Sequence, residues 1–139
     1  MIGLDTNVLA RYFLSGTDAS AATARQEKAA QRILEGDEPL HVCKTVLLEL
    51  EWVMRGLYAT APAQFATVLE HLLALPHVTV EDRLSVEAAL ASHRSGLDFA
   101  DALHHATYRT CASMASFDDR RFGRRVAKLG LLPPVTVPQ

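Results

Sequence analysis

The apolar positions of this chain fall into short runs and helical stripes, each cut by a polar residue, a glycine or a proline. Ile2 and Leu4 suit a buried strand that stops at Asp5. Val8, Leu9, Tyr12 and Phe13 then form the stripe of a helix over about Asn7–Leu14, ended near Gly16. An Ala-rich segment follows, with Asp18 and Ser20 as caps. It is helix-forming as far as about Glu35 and is closed by Gly36. Pro39 bounds a short strand, Leu40–Cys43. The spacing of Val46, Leu47, Leu50, Val53, Met54 and Leu57 predicts a helix from Thr45 to Leu57, with Leu48 and Trp52 nearly opposite that stripe. Pro62 opens a further helix carrying Phe65, Val68, Leu69, Leu72 and Leu73.

In the second half Val78–Val80 reads as a strand, and Asp82–His93 as a helix closed by Gly96. Asp98–Tyr108 is again helical, and Ala112–Phe117 has the length of a buried strand. A helix from about Arg120 to Leu129 ends at Gly130, and Val135–Val137 makes a last edge strand between prolines. Strands separated by helices, without hairpin turns, predict an α/β fold built on a parallel sheet covered on both faces.

The 139 residues suit a single domain, 1–139, and a composition of 49% hydrophobic and 22% charged residues is that of a folded chain. The apolar runs are too short to span a bilayer, and Asp5 and Arg11 interrupt any leader-like start, so no membrane role and a cytoplasmic setting are expected. Cys43 and Cys111 form no close motif and read as small core residues of a reduced compartment. The net charge of −2 hides an asymmetry. Residues 111–139 carry five Lys/Arg against two Asp/Glu, whereas residues 1–110 carry nine against fourteen. Arg120, Arg121, Arg124 and Arg125 form two adjoining i,i+4 stripes able to meet phosphate.

Carboxylates recur at strand and helix ends. Asp5 ends the first strand, and Asp118, with Asp119 behind it, ends a late one. In a parallel sheet the two face one crevice if their strands are neighbours. Glu49 lies near the start of its helix at the rim of the apolar stripe, and Glu51 lies on the other rim. In Gly96-Leu97-Asp98-Phe99-Ala100-Asp101, Asp98 is the natural N-cap and Asp101 the third helical residue, near the mouth of a buried helix. His105, one turn further on, is either a satisfied structural histidine, the favoured reading, or a ligand; His104 reads as structural. Thr6 and Ser116 are expected to hydrogen-bond the aspartates beside them. Carboxylates brought together repel unless a cation fills the space. Oxygen donors without a Cys/His cluster point to Mg²⁺ or Mn²⁺ and to phosphodiester hydrolysis.

Four segments carry a resemblance. Ile2-Gly3-Leu4-Asp5-Thr6-Asn7-Val8-Leu9, Thr45 to Val53, Leu97 to His104, and Ser116-Phe117-Asp118-Asp119-Arg120-Arg121-Phe122 together resemble the PIN-domain proteins, specifically the VapC-type ribonuclease toxins of bacterial toxin–antitoxin pairs. The resemblance implies a three-layer α/β/α sandwich around a central parallel sheet. It also implies catalytic and metal-binding carboxylates at Asp5, Glu49, Asp101 and Asp118, with Thr6, Asn7, Asp98 and Ser116 in support. It further implies Mg²⁺- or Mn²⁺-dependent RNA cleavage, a homodimer, and silencing by a small cognate antitoxin. Leu48 and Trp52 are candidates for the dimer or antitoxin contact, unless the helix from Pro62 covers them.

Other α/β functions fit less well. A dehalogenase-type phosphotransferase needs a carboxylate where Asn7 stands, and a response-regulator receiver needs a late lysine, absent between Lys44 and Lys128. No GxGxxG or GxxxxGK[ST] loop is present for a nucleotide. The remaining competitor is a non-catalytic RNA-binding or protein-interaction domain that keeps the acidic crevice only for its fold.

Overall fold

A computed structural model describes residues 1–16 and 20–139; Asp18, expected as a cap, lies outside the described residues. These fall into two compact units, Met1–Arg83 and Leu84–Gln139. Among the described residues no helix is long and apolar enough to cross a membrane.

The first unit is built on three parallel strands, β1 (Ile2–Gly3), β2 (Leu40–Val42) and β3 (Val78–Val80), in the order β1-β2-β3. Ile2 pairs with Leu40, and Leu40 with Val78. Parallel neighbours cannot be joined by a tight turn, so each connection carries helices. These are α1 (Thr6–Phe13) and α2 (Ala21–Leu34) between β1 and β2, then α3 (Lys44–Leu57) and α4 (Pro62–Ala74) between β2 and β3. Helix α1 packs on α2 and α3, and α4 packs on α3 and β3. Leu40, Val42, Val78 and Val80 are buried, and with Leu9, Leu34, Leu47, Leu50, Met54, Phe65, Leu69 and Leu72 they make the core.

Local chemistry fixes the helix ends. Ser20 caps α2 by accepting from Thr23 N at 3.1 Å. Helix α4 has Pro62 in its first turn, and Gln64 reaches back to Ala61 N at 2.7 Å. Cys43, the N-cap of α3, gives no side-chain cap, and Glu81 at the end of β3 takes the Lys44 N–H instead, at 2.8 Å. The Lys44 ammonium pairs with Asp82 at 3.1 Å, which ties α3 to the end of β3 a second time.

The second unit holds α5 (Arg83–Arg94, beginning at the boundary), α6 (Phe99–Thr107), β4 (Met114–Ala115), a π-helical turn over Asp119–Gly123, α7 (Arg124–Leu129) and β5 (Val135–Thr136). β4 and β5 pair in parallel, Met114 opposite Val135. Ser85 Oγ donates to Ala106 O and accepts from the Arg109 guanidinium, which joins α5 to α6. His105 is buried and donates from Nε2 to Pro133 O at 2.7 Å, the structural role favoured for it. Gly130 ends α7 at φ 65, a left-handed conformation that suits glycine.

The α/β class with parallel strands is as expected, but several details differ. The strands form two ladders, so Asp5 and Asp118 follow strands of different ones and the argument from neighbouring strand ends does not join them. The strand expected over Ala112–Phe117 shrinks to two residues, because Ala and Ser supply little of the branched surface that holds a ladder. The helix expected from Arg120 opens as a wide turn. Ile2 and Leu57 are exposed, Leu57 because it is the last residue of α3. Cys43 is half-buried and Cys111 exposed, both as free thiols, so neither is a core residue.

Two glycines give opposite expectations for stability. At Gly36 an added Cβ would lie 2.9 Å from the Arg32 carbonyl oxygen, whereas at Gly56, inside α3, nothing lies within 4 Å. Gly36→Ala should therefore destabilise by about 1–3 kcal/mol through this overpacking. Gly56→Ala should stabilise by about 0.5–1 kcal/mol through helix propensity. Urea unfolding of both variants checks the pair, and equal signs would contradict it.

Candidate functional site

Asp5, Asp98 and Asp118 are each placed by the backbone that they cap. Asp5 is the N-cap of α1, with φ −86 and ψ 162, and its Oδ1 accepts from Thr6 N at 2.8 Å. The carboxylate is thereby held at the C-terminal edge of the β1–β2–β3 sheet. Thr6 Oγ1 does not bond to Asp5 as expected. It is 95% buried, at 5% exposure, and has no hydrogen-bond partner among the described residues. Burying a hydroxyl unpaired is unfavourable, so this oxygen marks a place where a further polar ligand would be welcome. Asn7 is exposed and borders a shallow depression between α1 and α2 with Val8, Arg11, Ala30 and Ile33.

Glu49 lies in the second turn of α3, whose N-terminus starts from the same sheet edge. It is exposed and makes no hydrogen bond or ion pair among the described residues. Glu51, on the other rim of the stripe, is only 8% exposed. Arg55 holds it with contacts of 3.2 Å from Nε and 3.3 Å from Nη2. This i,i+4 pair assigns Glu51 to the packing of α3 and leaves Glu49 open toward solvent.

In the second unit a cleft of about 280 Å³ brings together Asp98, Asp101, Asp118, Arg121 and Arg125, floored by Leu97 and Phe122. Asp98 caps α6, its Oδ2 accepting from Asp101 N at 3.2 Å. Asp118 caps the π-helical turn, its Oδ1 accepting from Arg121 N at 3.0 Å and Phe122 N at 3.4 Å. Ser116 Oγ accepts from the Asp118 backbone N–H at 3.1 Å, so it supports this aspartate through the main chain and not through the carboxylate. Asp119 does not line the cleft; its Oδ1 lies toward Gly123.

The arginine cluster divides. Arg121 and Arg125, four residues apart, both line the cleft, and the Arg125 guanidinium donates to Gly96 O; Arg120 and Arg124 do not line it. Gly96 was expected only to close a helix. Its carbonyl also anchors Arg125, and no pattern in the sequence marks that contact. His104 was expected to be structural. It is exposed, three residues from Asp101, and its attraction steadies the ionised aspartate.

Burial, then the charges of Asp98 and Asp118, push the Asp101 carboxyl above the usual carboxylate range, and His104 opposes them. An all-oxygen donor set under mutual repulsion suits a hard divalent cation. In this arrangement no three His, Cys, Asp or Glu side chains among the described residues are placed to hold a metal ion. In the cleft, Asp98 and Asp118 are turned to their caps, and Asp101 is the carboxylate left for a ligand to reach.

The raised Asp101 pKa fixes the sign of a pH effect. Because the folded value lies above the unfolded one, the ionised group subtracts from stability above that pKa, and protonation restores it as the pH falls. Metal-free Asp101→Asn should therefore melt above the wild type at pH 7, with the gap closing as the pH falls through the Asp101 titration. Differential scanning calorimetry checks this; a lower melting temperature for the variant at pH 7 would contradict it.

Against individual curated proteins the chain has no significant match. A family model described as the PIN domain matches residues 2–129, which runs through both compact units and takes in Asp5, Glu49, Asp98, Asp101, Asp118 and the four arginines. PIN domains are in general nucleases, hydrolases of phosphodiester bonds, and the match covers more than half of the sequence. The chain belongs to the PIN domain family.

Proposed function

We propose that this chain is a Mg²⁺- or Mn²⁺-dependent endoribonuclease, the toxin component of a VapC-type toxin–antitoxin pair. The observation that carries the proposal is the crowding of Asp101 by Asp98 and Asp118 in a cleft rimmed by Arg121 and Arg125. Carboxylates crowded around one another favour a cation between them, and guanidiniums beside them favour a phosphate. Family membership supports nuclease chemistry, and the resemblance assigns Asp5, Glu49, Asp101 and Asp118 to the cation.

In this account Arg121 and Arg125 bind the RNA backbone by bidentate contacts to phosphate oxygens, and Arg120 and Arg124 add longer-range attraction. The resemblance makes Asp101 and Asp5 the most direct ligands, with Asp118 completing the shell or acting through water. A divalent cation held there supplies positive charge against the phosphoryl oxygens and eases deprotonation of water. Glu49, exposed and without an ion pair among the described residues, orients the attacking water and takes its proton as the phosphorus–oxygen bond to the leaving group breaks. Asp98 positions Asp101 through the α6 cap. Trp52, 65% exposed, and half-buried Leu48 form an apolar face on the helix that carries Glu49, suited to a homodimer or to antitoxin docking. An arginine-bearing antitoxin tail would neutralise the same carboxylates that RNA cleavage requires.

A non-catalytic RNA-binding domain is the second reading, favoured by the capping duties of Asp98 and Asp118, which alone explain those two residues. Metal-dependent cleavage separates the two. Asp5→Asn and Asp101→Asn should each fold and lose RNA cleavage by at least about 100-fold, and excess EDTA should abolish it. Full activity in either variant, or cleavage in EDTA, would contradict the assignment. Expressed alone, the wild type should arrest growth and Asp5→Asn should not, with rescue by the neighbouring gene. Light scattering at micromolar concentration should give twice the chain mass; a monomer would remove the dimer from the account.

A further inference from the structure

The turn over residues 95–98 joins α5 to α6 and so decides where the head of α6 points. On the α5 side its own backbone holds it. Gly96 N donates to His93 O at 3.0 Å, Leu97 N to Ser92 O at 3.1 Å, and His93 Nδ1 to Leu97 O at 2.8 Å. Leu97 is buried, and Asp98 then caps α6 by accepting from Asp101 N. From α7 the same turn is held by the bond from Arg125 Nη1 to Gly96 O. Gly96 lies at φ 105, and a Cβ built on it would run into Arg125 Nη1, so glycine serves both the backbone and the close approach.

That bond uses only one side of a guanidinium, whose five N–H donors form a rigid fork. Nε and Nη2 of Arg125 have no partner among the described residues, although Asp98, Asp101 and Asp118 line the same cleft. An arginine paired with those carboxylates would cancel the charge that a cation requires. The neutral Gly96 carbonyl engages Arg125 instead, and the Nε–Nη2 edge keeps the shape that grips a phosphate through two bonds. We infer that Arg125 is a two-edged positioning residue: Nη1 holds the turn that presents the head of α6, and the Nε–Nη2 edge takes a substrate phosphate, so that one side chain sets the phosphate in register with Asp101. This rests on the ribonuclease reading and deepens it, by naming how the substrate is aligned with the acidic residues. Arg125 acts by position alone and exchanges no proton. A lysine ammonium is a point charge that attracts phosphate but cannot span the two partners in a fixed geometry.

Arg125→Lys, which keeps the charge and loses the fork, is the test. Arg125 is exposed, so the variant should fold. With Mg²⁺ and an RNA oligonucleotide its kcat should fall by about 10- to 100-fold while KM changes little, because attraction survives and alignment does not. The salt dependence of RNA affinity should stay that of the wild type. Arg125→Gln should lower kcat as well, and also raise KM and flatten the salt dependence. The Gly96 carbonyl-carbon NMR resonance reads the bond itself in protein kept metal-free with EDTA. Both variants should shift it as the bond is lost, and the RNA oligonucleotide should shift it in the wild type but not in Arg125→Lys. Wild-type kcat with a raised KM in Arg125→Lys would reduce Arg125 to a phosphate contact, and a rate loss matched by lost folded protein would reduce it to a structural prop. A Gly96 resonance indifferent to the variants or to RNA would remove the link between turn and phosphate. Each of these overturns the inference and leaves the ribonuclease reading standing, whereas a wild type that cleaves no RNA overturns both.

Discussion

A carboxylate that caps a helix is held where the chain turns, and in this protein that bond places three of the candidate aspartates and, through Asp98, sets the head of the helix that carries Asp101. Asp5 fixes the start of α1, Asp98 the start of α6, and Asp118 the start of the π-helical turn. Free backbone N–H groups at a helix start attract negative charge, so folding itself draws these side chains to strand and helix ends. Asp98, Asp101 and Asp118 are thereby gathered into one cleft despite their mutual repulsion. The local backbone bonds offset the repulsion well enough to keep the cleft intact, while burial first, and then the charges of Asp98 and Asp118, raise the pKa of Asp101.

The same arrangement separates supporting residues from those open to a ligand. Asp98 and Asp118 each have one carboxylate oxygen engaged with backbone N–H groups, Glu51 is closed by Arg55, and His105 by Pro133. Asp101 and Glu49 have no such duty in their own units. Thr6 Oγ1 is the counterpart in the first unit, a buried hydroxyl one residue from Asp5 that has no partner among the described residues. Asp101, Glu49 and Thr6 Oγ1 are thus groups that the fold leaves open, which is where function is expected to conflict with stability.

Much of this was legible in the sequence because it follows from local rules. Helical spacing and caps located the helices to within about two residues except the last, expected from Arg120 and found as α7 from Arg124 behind the π-helical turn, and the absence of hairpin turns indicated parallel strands. Asp98 was readable as a cap because capping is a matter of neighbours, whereas Asp5 and Asp118 were picked out by their places at strand ends. What stayed hidden depends on contacts distant along the chain. The division of the four arginines follows from Gly96 lying against Arg125, 29 residues away. The burial of Glu51 and the exposure of Glu49 depend on which part of α3 meets α1 and α4, and two carboxylates on opposite rims of one stripe look alike in sequence. The two-residue β4 was overestimated because Ala and Ser carry no strong signal for either state. Phe117 was read as the last residue of a buried strand, and an aromatic that ends a strand gives no local sign that its ring faces solvent.

The central claim, that carboxylates crowded at the head of α6 await a cation, is tested most directly at Asp101 itself. Titrating its carboxyl carbon by NMR in the folded protein, without and with saturating Mg²⁺, separates electrostatic crowding from a purely structural role. The account predicts a pKa above the ordinary carboxylate range in the metal-free protein and well below it when Mg²⁺ is present. An Asp101 pKa at its ordinary value, or one that Mg²⁺ leaves in place, would contradict it.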